Sequence, residues 1–318
     1  MRIRPFAALS AVALSAVLLA GCATAAPDTE ASPSGPPPAD LCAAAAPSGA
    51  ASDAVAVEGE VGTPSTATFD APLEITELER TVIEEGSSEL TAGDFISFGY
   101  SIFDAETAEP LVTVGYAEGE SLPQQVSAES GGVLFGCAGA GSRIVATAPA
   151  AEGSPAVVYV IDVLGVVPIA AWGEDQPAVE GSPTVELADN GAPTITLPEG
   201  DAPTETQVDV LKEGDGTTVE PGDTVLVQYT GVKWSDGSVF DSTWENGGVP
   251  TQFSTTGVVP GFRMALEGQT VGSQVLVVMT PADGYGEGEI NETDLVGETL
   301  VFVVDILGTQ RPVAPAPQ

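Results

Sequence analysis

The sequence contains no histidine, and only three of its 318 residues are cysteine. Histidine is the commonest general base and the commonest zinc ligand in proteins. Its absence excludes Ser-His-Asp and Cys-His catalysis, and three cysteines form no cluster of the metal-ligand type. We therefore expect neither a metal nor another cofactor. The classes of chemistry that remain are carboxylate catalysis, cation binding by oxygen ligands, and catalysis that needs no proton transfer.

Basic residues are also scarce, since 8 Lys and Arg face 46 Asp and Glu and the formal net charge is -38. No block of basic residues occurs along the chain. Binding to nucleic acid or to an anionic membrane surface needs clustered Lys or Arg, so we expect neither as a partner. The acidic excess is expected to keep the chain soluble and monomeric.

The N-terminus has an apolar run that is too short to span a bilayer comfortably. Two arginines precede apolar residues 6–20, a pattern that predicts a signal peptide over residues 1–21. The run ends in Leu19-Ala20-Gly21-Cys22, which resembles the lipobox of bacterial lipoproteins, and we expect an actinobacterial one. This resemblance implies that acylated Cys22 anchors the chain to the extracytoplasmic face of the cell membrane. An ordinary cleavable signal that contains a cysteine is the alternative.

Two stretches have almost no large apolar residues to bury. Residues 22–56 are dominated by Ala, Ser, Pro and Gly, which predicts a flexible tether. Residues 311–318 are rich in proline and are expected to be a disordered tail.

Two stretches of the chain share their glycines and turns in the same order, which indicates an internal repeat. Residues 93–100 and 222–229 both begin with Gly-Asp and end in Tyr. The clearest match is that of residues 158–165 with residues 301–308, and chance similarity between β-rich segments is the alternative. The two predicted domains and the linker between them are residues 57–168, 190–310 and 169–189.

Each copy is rich in predicted strands. Apolar and β-branched runs such as residues 224–229 and 274–279 lie between Gly and Pro breaks. Asp236-Gly237 predicts a hairpin turn, and the one plausible helix, residues 261–268, is short. The expected fold class is therefore α+β, with an antiparallel sheet packed on one short helix in each domain.

A series of short motifs fills residues 205–308. In chain order they are Gly214-Asp215-Gly216, Val227-Gln228-Tyr229-Thr230-Gly231, Asp236-Gly237-Ser238-Val239-Phe240-Asp241-Ser242, Val258-Val259-Pro260-Gly261-Phe262, Val271-Gly272, Tyr285-Gly286 and Leu300-Val301-Phe302. Any one of them alone carries no information. Together and in this order, they resemble the FKBP-type peptidyl-prolyl cis/trans isomerases, and the resemblance implies two FKBP-like domains with half-wrapped sheets.

The resemblance also implies a site, because in this family the sheet and its helix enclose a small apolar pocket for the proline ring. The walls that it assigns are Tyr229, Phe240, Phe253, Val258, Val259, Phe262, Tyr285 and Phe302, with Asp241 as the charged group nearby. Phe262 stands where the family often has Trp, and the acidic loop after Tyr285 lacks the usual prolines. That loop also lacks the EF-hand pattern, so a solvated loop is favoured over a calcium site.

Prolyl isomerisation suits a chain without histidine. Its barrier of about 18–20 kcal/mol arises from amide resonance, so no proton has to move. A pocket that desolvates the prolyl amide favours its twisted transition state over the planar ground states. Asp241 is expected to orient neighbouring side chains, and turn formation beyond Phe240 is the alternative role for this residue.

The first copy loses the residues of this pocket. Leu111-Val112 stands where Phe240-Asp241 is expected, and Cys137 replaces Phe262. Residues 149–158 are also a much shorter segment than residues 281–301, which carry Tyr285. We expect a degenerate FKBP-like domain that keeps the fold without the pocket. Spacing, substrate gripping or contact with the second copy are its possible roles.

Two cysteines remain once Cys22 is acylated. Cys42 and Cys137 are an even pair in an oxidising compartment, so we predict a disulfide between them. Two free thiols are the alternative.

The predicted function is that of an extracytoplasmic prolyl isomerase, anchored to the membrane by lipid, which assists the folding of exported proteins. The resemblance implies proline-containing polypeptides as substrates and the family's macrolides as further ligands. A non-catalytic FKBP-like chaperone or binding module is the alternative.

Overall fold

The computed structural model describes residues 40–291 and 294–312. The predicted signal peptide, the predicted acylation site Cys22, the predicted tether up to residue 39 and residues 313–318 of the predicted tail lie outside the described residues. Within the described part, no helix is long and apolar enough to cross a membrane.

The first part of the described chain, the first unit, forms one sheet with short flanking elements. In chain order these are α1 (Leu41–Ala44), α2 (Ala50–Asp53), β1 (Ala56–Glu58), β2 (Thr66–Thr68), β3 (Glu79–Glu84), β4 (Phe95–Asp104), β5 (Pro110–Val114), β6 (Gln124–Gln125), α3 (Gly132–Phe135), β7 (Arg143–Ala148) and β8 (Val157–Val167). The first sheet has the order β3-β7-β8-β4-β5, with β6 paired to β4, and β1 pairs with β2 as a separate hairpin.

The second part of the described chain, the second unit, is built similarly. Its elements are β9 (Glu174–Asp175), β10 (Thr184–Leu187), β11 (Pro193–Thr196), β12 (Gln207–Glu213), β13 (Thr224–Lys233), β14 (Val239–Ser242), β15 (Thr251–Ser254), α4 (Pro260–Leu266), β16 (Gln274–Met279), a 3-10 turn (Pro281–Asp283) and β17 (Leu300–Gln310). The second sheet has the order β14-β13-β17-β16-β12-β9, with β15 paired to β13, and β10 pairs with β11 as a separate hairpin.

The two sheets share one strand order, because β12-β16-β17-β13-β14 repeats β3-β7-β8-β4-β5. The pairing register shifts at matching points, between Ser97 and Phe98 in β4 and between Leu226 and Val227 in β13. Helix α3 lies between β6 and β7 in the chain, as α4 lies between β15 and β16. The described chain is therefore mostly β-sheet with few helices, and its two sheets have the same strand order.

Strand β13 is buried along nearly its whole length, since both faces of the second sheet are covered. On its front face lies the core cluster of Val225, Val227 and Tyr229, which also includes residues of α4. On the back face, Val185 of β10 and Ile195 of β11 pack against the sheet. The sequence of a strand covered on both faces is a nearly continuous run of apolar residues, without the alternation of apolar and polar residues seen in half-buried strands.

The segment predicted as a linker, residues 169–189, is part of the second unit, which corrects that expectation. Its strand β9 pairs with β12, and β10 covers the back of the sheet. The physical reason is that an uncovered apolar sheet face is costly in water, so the preceding segment is used to cover it. The first sheet is covered in the same way, because Val57 of β1 and Ala67 of β2 pack on its back.

The predicted tether is likewise wrong over residues 40–55, which pack on the first sheet. Asp40 caps α1 by accepting a hydrogen bond from the backbone N–H of Cys42 (2.9 Å), and Leu41 is only 3% exposed. The carboxylate of Glu79 accepts hydrogen bonds from the N–H groups of Ala51 (2.8 Å) and Ser52 (2.9 Å). A few well-placed contacts order this segment despite its Ala-rich composition.

The two sheets meet in a small apolar contact. Phe95 and Leu122 of the first unit form one buried cluster with Leu226 and Leu307 of the second. Beyond β17, the backbone N–H of Arg311 donates a hydrogen bond to the carbonyl of Gly119 (2.8 Å) and its guanidinium donates one to that of Glu118 (2.6 Å). The tail expected to be disordered from residue 311 is therefore still bound at Arg311.

A buried carboxylate occupies the same place behind each sheet. Asp162 forms an ion pair with Arg143 (2.6 Å), whereas Asp305 accepts hydrogen bonds from the neutral amide of Gln274 (2.7 Å) and from the backbone N–H of Ala171 (3.1 Å). Burial raises the pKa of Asp305 to about 6. The second sheet therefore holds a buried carboxylate without the paired cation of the first.

We expect Asp305→Asn to flatten the dependence of stability on pH. Because the folded-state pKa of Asp305 lies above its ordinary value of 3.8, its contribution to stability is complete below about pH 4 and is lost as the pH rises through about 6. The wild type should therefore lose up to about 3 kcal/mol more unfolding free energy than the variant between pH 4 and 7. Urea unfolding at both pH values measures this difference.

Asp162→Asn is the matched control, because it leaves the buried guanidinium of Arg143 without its ionic partner and should destabilise the protein at pH 7. Equal pH profiles of Asp305→Asn and wild type would contradict the prediction.

Candidate active site

A concave cavity of about 360 Å³ opens on the front face of the second sheet. Its lining residues are Tyr229, Phe240, Asp241, Phe253, Gly257, Val258, Val259, Phe262, Tyr285 and Phe302. All nine site residues predicted from the sequence lie in this one cavity. Gly257, in the turn before Val258, is the lining residue that sequence reasoning missed, because its contribution is backbone and no side chain signals it.

Phe262 of α4 forms the floor of the cavity. Its ring lies edge-on to three other rings, with centroid distances of 5.9 Å to Tyr229, 5.8 Å to Phe253 and 5.2 Å to Phe302. Edge-to-face pairs of this kind stabilise a packed aromatic cluster beyond the burial of its area. The side chain of Phe262 is only 5% exposed, so the floor is held rigidly.

The local sequence explains how α4 reaches this position. Pro260 stands at the first turn, where its missing N–H has no helical partner to lose. A Cβ on the next residue, Gly261, would lie 2.5 Å from the Cβ of Met279, so glycine lets the helix lie directly on β16. Glycine serves the opposite wall as well, because a Cβ at Gly231 would lie 2.7 Å from the rings of Phe240 and Phe302.

Asp241 is the charged group of the cavity wall. Its carboxylate accepts a hydrogen bond of 2.5 Å from the hydroxyl of Tyr229 and one of 3.3 Å from the side-chain amide of Asn246. Burial, followed by the hydrogen bond to Asp241 and the charges of Asp241 and Tyr285, raises the pKa of Tyr229. Tyr229 therefore stays a neutral donor, and Asn246 is a second partner of Asp241 that sequence reasoning did not find.

Tyr285 lies at the mouth of the cavity and is 50% exposed. The loop that carries it is closed by hydrogen bonds from the N–H of Gly286 to the carbonyl of Pro281 (2.8 Å) and from the N–H of Gly297 to the carbonyl of Gly286 (2.8 Å). Leu295, near the end of the loop, packs on the core beneath. The phenol is thus attached to a loop with fixed ends and remains accessible to a ligand.

The strand register shows what the first sheet has in place of this wall. Val112 pairs with Ile102 in the first sheet as Asp241 pairs with Gly231 in the second. Its neighbour Leu111 is 49% exposed. The register thus places Leu111 and Val112 at the positions of Phe240 and Asp241, as the sequence predicts.

Cys137, by contrast, is not the counterpart of Phe262, and that expectation is wrong. The N–H of Leu90 bonds to the carbonyl of Cys137 (3.1 Å) as the N–H of Val219 bonds to that of Gln269 (2.8 Å). Cys137 therefore follows its helix. The reason for the mismatch is that α3 has four residues where α4 has seven, which shifts an ungapped comparison.

Cys42 and Cys137 are joined by a disulfide in the structure, with their Cα atoms 4.7 Å apart. The bond connects α1 to the end of α3. Leu41, next to Cys42, packs in the same buried cluster as Phe135 of α3. The disulfide therefore holds the N-terminal segment on the first sheet.

Comparison with known proteins agrees with this geometry. The family model described as FKBP-type peptidyl-prolyl cis-trans isomerase matches residues 216–307. A probable FK506-binding protein of Corynebacterium glutamicum is 35% identical over 94 residues, which are 30% of this chain and 78% of the relative. An FK506-binding protein of Streptomyces anulatus is 36% identical over 98 residues, again 30% of this chain and 78% of the relative.

Longer proteins also match part of this chain. The outer membrane protein MIP of Legionella longbeachae is 39% identical over 99 residues, which are 30% of this chain but only 41% of that protein. The crystal structure of FkpA from Escherichia coli matches with 27% identity and a TM-score of 0.31, over 44% of this chain and 54% of that one. Because most of the length of the two FK506-binding relatives is matched at this identity, and because the cavity lies within the matched residues, the chain belongs to the family of FKBP-type peptidyl-prolyl cis-trans isomerases.

Proposed function

We propose that the aromatic cavity on the second sheet catalyses rotation about X-Pro peptide bonds. The substrates are exported polypeptides at the outer face of the cell membrane. The observation that carries this proposal is the small aromatic cavity, in which the nine predicted residues meet around a single charged group. It has the size and apolar character suited to a proline ring, and it offers no histidine or thiol for a chemical step.

The mechanism follows from what limits the reaction. Amide resonance sets a rotational barrier of about 18–20 kcal/mol and is weakened when the bond twists. Phe262 and the rings around it exclude water from the bound prolyl amide, so the less polar, twisted amide is favoured over the planar one. No group of the cavity has to exchange a proton with the substrate.

Hydrogen bonds fix the substrate across this twist. The carbonyl of Val259 already accepts a hydrogen bond from the N–H of Arg263 (3.1 Å). We therefore propose that the backbone group of Val259 that binds the substrate is its N–H, which donates a hydrogen bond to the bound peptide. The hydroxyl of Tyr285, at the mouth of the cavity, is the second group that hydrogen-bonds to the bound peptide in this proposal. The bond from Tyr229 to Asp241 (2.5 Å) holds the polar part of the wall in place.

We further propose that residues 57–168 are a degenerate FKBP-like domain without isomerase activity. The shared strand order and register support a common fold. Leu111 and Val112 at the positions of Phe240 and Asp241 remove an aromatic ring and the carboxylate from the wall. The contact of Phe95 and Leu122 with the second unit favours a supporting role for this domain.

The proposed location rests on two features. The lipobox-like sequence at Cys22 supports a lipid anchor outside the cytoplasm, and a disulfide such as that of Cys42 and Cys137 is typical of proteins in oxidising compartments. A relative named as an outer membrane protein agrees with this location. Proline-containing exported polypeptides are then the substrates, and macrolides such as FK506, for which two relatives are named, are ligands of the same cavity.

The experiment that tests the catalytic proposal is an NMR exchange measurement on a short X-Pro peptide with residues 23–318. We expect catalysed cis/trans exchange that varies little between about pH 6 and 9, because no catalytic proton transfer is needed. FK506 should inhibit it. Absence of exchange, or a steep pH dependence, would contradict the proposed mechanism.

The anchor is tested by Cys22→Ser in the full chain. Without the thiol the chain cannot be acylated, so the variant should be misprocessed or released from the membrane. Membrane fractionation and the mass of the mature N-terminus measure both effects. A variant that stays on the membrane and is correctly cleaved would show that Cys22 is not the anchor.

A further inference from the structure

We propose that Asp241 makes the cavity selective for substrates that carry a lysine or arginine next to the proline. This inference rests on the proposed function and adds to it a preference for one type of substrate residue next to the proline. It follows from the distribution of charge around the cavity, because none of the six cations of the described residues pairs with Asp241.

The cations of the first unit are already engaged. Arg80 donates hydrogen bonds to the carbonyls of Leu134 (2.5 Å) and Phe135 (2.6 Å), and Arg143 forms the buried ion pair with Asp162. Arg311 donates to the carbonyl of Glu118. None of these three side chains neutralises the cavity.

The cations of the second unit do not neutralise it either. Lys212 donates a hydrogen bond to the carbonyl of Ala171 behind the sheet (3.3 Å), and Lys233 lies in the hairpin near Asp236. Arg263 follows Phe262 in α4. Over residues 40–291 and 294–312, Arg143–Asp162 is the salt bridge that forms, so Asp241 has no cationic partner there.

Both groups that hold Asp241 are neutral and leave acceptor capacity on its carboxylate. The Tyr229 hydroxyl bonds to one oxygen and the Asn246 amide to the other, whereas an ionised carboxylate has about four acceptor positions. A hydrogen bond from an ammonium or guanidinium group to such an oxygen is about twice as strong as one between neutral groups. The wall can therefore accept a cation in addition to its present partners.

The position of Asp241 sets where this cation lies in the substrate. The aromatic floor takes the proline ring, and Cα atoms of neighbouring residues are about 3.8 Å apart. A long basic side chain next to the proline can thus reach the carboxylate at the wall. Exposed Glu245, Glu287 and Glu289 lie close to Asn246 or Tyr285 in the chain, so the surrounding charge is of the same sign and favours cationic substrates.

The test compares three peptides that differ only in the residue before proline, which is lysine, norleucine or glutamate, and repeats the comparison for the residue after proline. With residues 23–318 at low salt, kcat/KM should fall in the order lysine, norleucine, glutamate at one of these positions. The expected ratio of lysine to glutamate is about tenfold. It should shrink when the ionic strength is raised, since salt screens exposed charges.

Asp241→Asn tests the residue itself and should reduce the lysine-to-glutamate ratio to about threefold or less, whatever its effect on the overall rate. Glu245→Gln is the matched control, because it removes the same charge from an exposed side chain outside the cavity lining and should leave the ratio close to that of the wild type. Thermal unfolding of both variants shows that they are folded.

The outcomes separate the two proposals. Exchange that is equally fast for all three peptides, or fastest for norleucine, overturns the charge preference and leaves the isomerase proposal intact. A preference that survives undiminished in Asp241→Asn overturns the role of Asp241, whatever the result for Glu245→Gln. No catalysed exchange with any peptide overturns the proposed function itself.

Discussion

Replacing Phe262 with alanine is expected to lower kcat/KM for an X-Pro peptide by about tenfold or more, equivalent to about 1.4 kcal/mol or more of lost transition-state stabilisation. The ring closes the cavity floor against Tyr229, Phe253 and Phe302. Without it, water enters beside the bound amide and stabilises the planar ground state. The same NMR exchange measurement on residues 23–318 gives the ratio of rates.

Two variants make this result specific to the cavity. Phe262→Trp restores an aromatic floor, with the residue that the family often has there, and should keep most of the activity. Phe135→Ala removes a buried ring from α3 in the first unit and costs about 3–5 kcal/mol of stability, but it should leave kcat/KM unchanged in the folded protein. Equal losses of activity from Phe262→Ala and Phe135→Ala would show that the effect is one of stability.

Removing the disulfide with Cys42→Ser and Cys137→Ser is expected to lower the unfolding free energy by about 4.7 kcal/mol in the chain-entropy model. The bond closes a loop between cysteines 95 positions apart, so its loss gives the unfolded chain much more freedom. It also releases the segment around Leu41 from the cluster of Phe135. Urea unfolding of the double variant and of the oxidised wild type measures the difference.

A control separates the covalent bond from the packing of α1. Asp40→Ala removes the cap of this helix and should cost only about 1 kcal/mol. Peptide mapping without reduction should recover Cys42 joined to Cys137 from the wild type. A double variant as stable as the wild type, or full alkylation of both cysteines in oxidised protein, would contradict the prediction.

The site could be predicted because its residues stand in a specific order along the chain. Strand register then brings Phe240 and Asp241 onto Gly231, and the helix motif brings Phe262 beneath them. Asn246 could not be predicted, since its contact with Asp241 depends on the path of a turn. Motif order fixes which strands pair but not where a turn directs each side chain.

The segments that precede each sheet in the chain are the part of the fold that the sequence does not reveal. Residues 184–196 contain few apolar side chains, and those few, such as Val185 and Ile195, matter because the sheet presents an apolar back face to them. Local composition is typical of a linker, whereas the burial is a property of the tertiary structure. The same holds for Leu41 and Val55 in the Ala-rich N-terminal segment.

The central position of the last strand in each sheet implies an order in which the two sheets fold. Strand β8 lies between β7 and β4, and β17 lies between β16 and β13. Neither sheet can close before its final strand has emerged, and such pairing of distant segments is slow because a long loop must close first. Domains emerge and fold from the N-terminal side. We therefore expect the first sheet to be complete while the second is still unfinished, so that Phe95 and Leu122 are in place before Leu226 and then Leu307 pack against them.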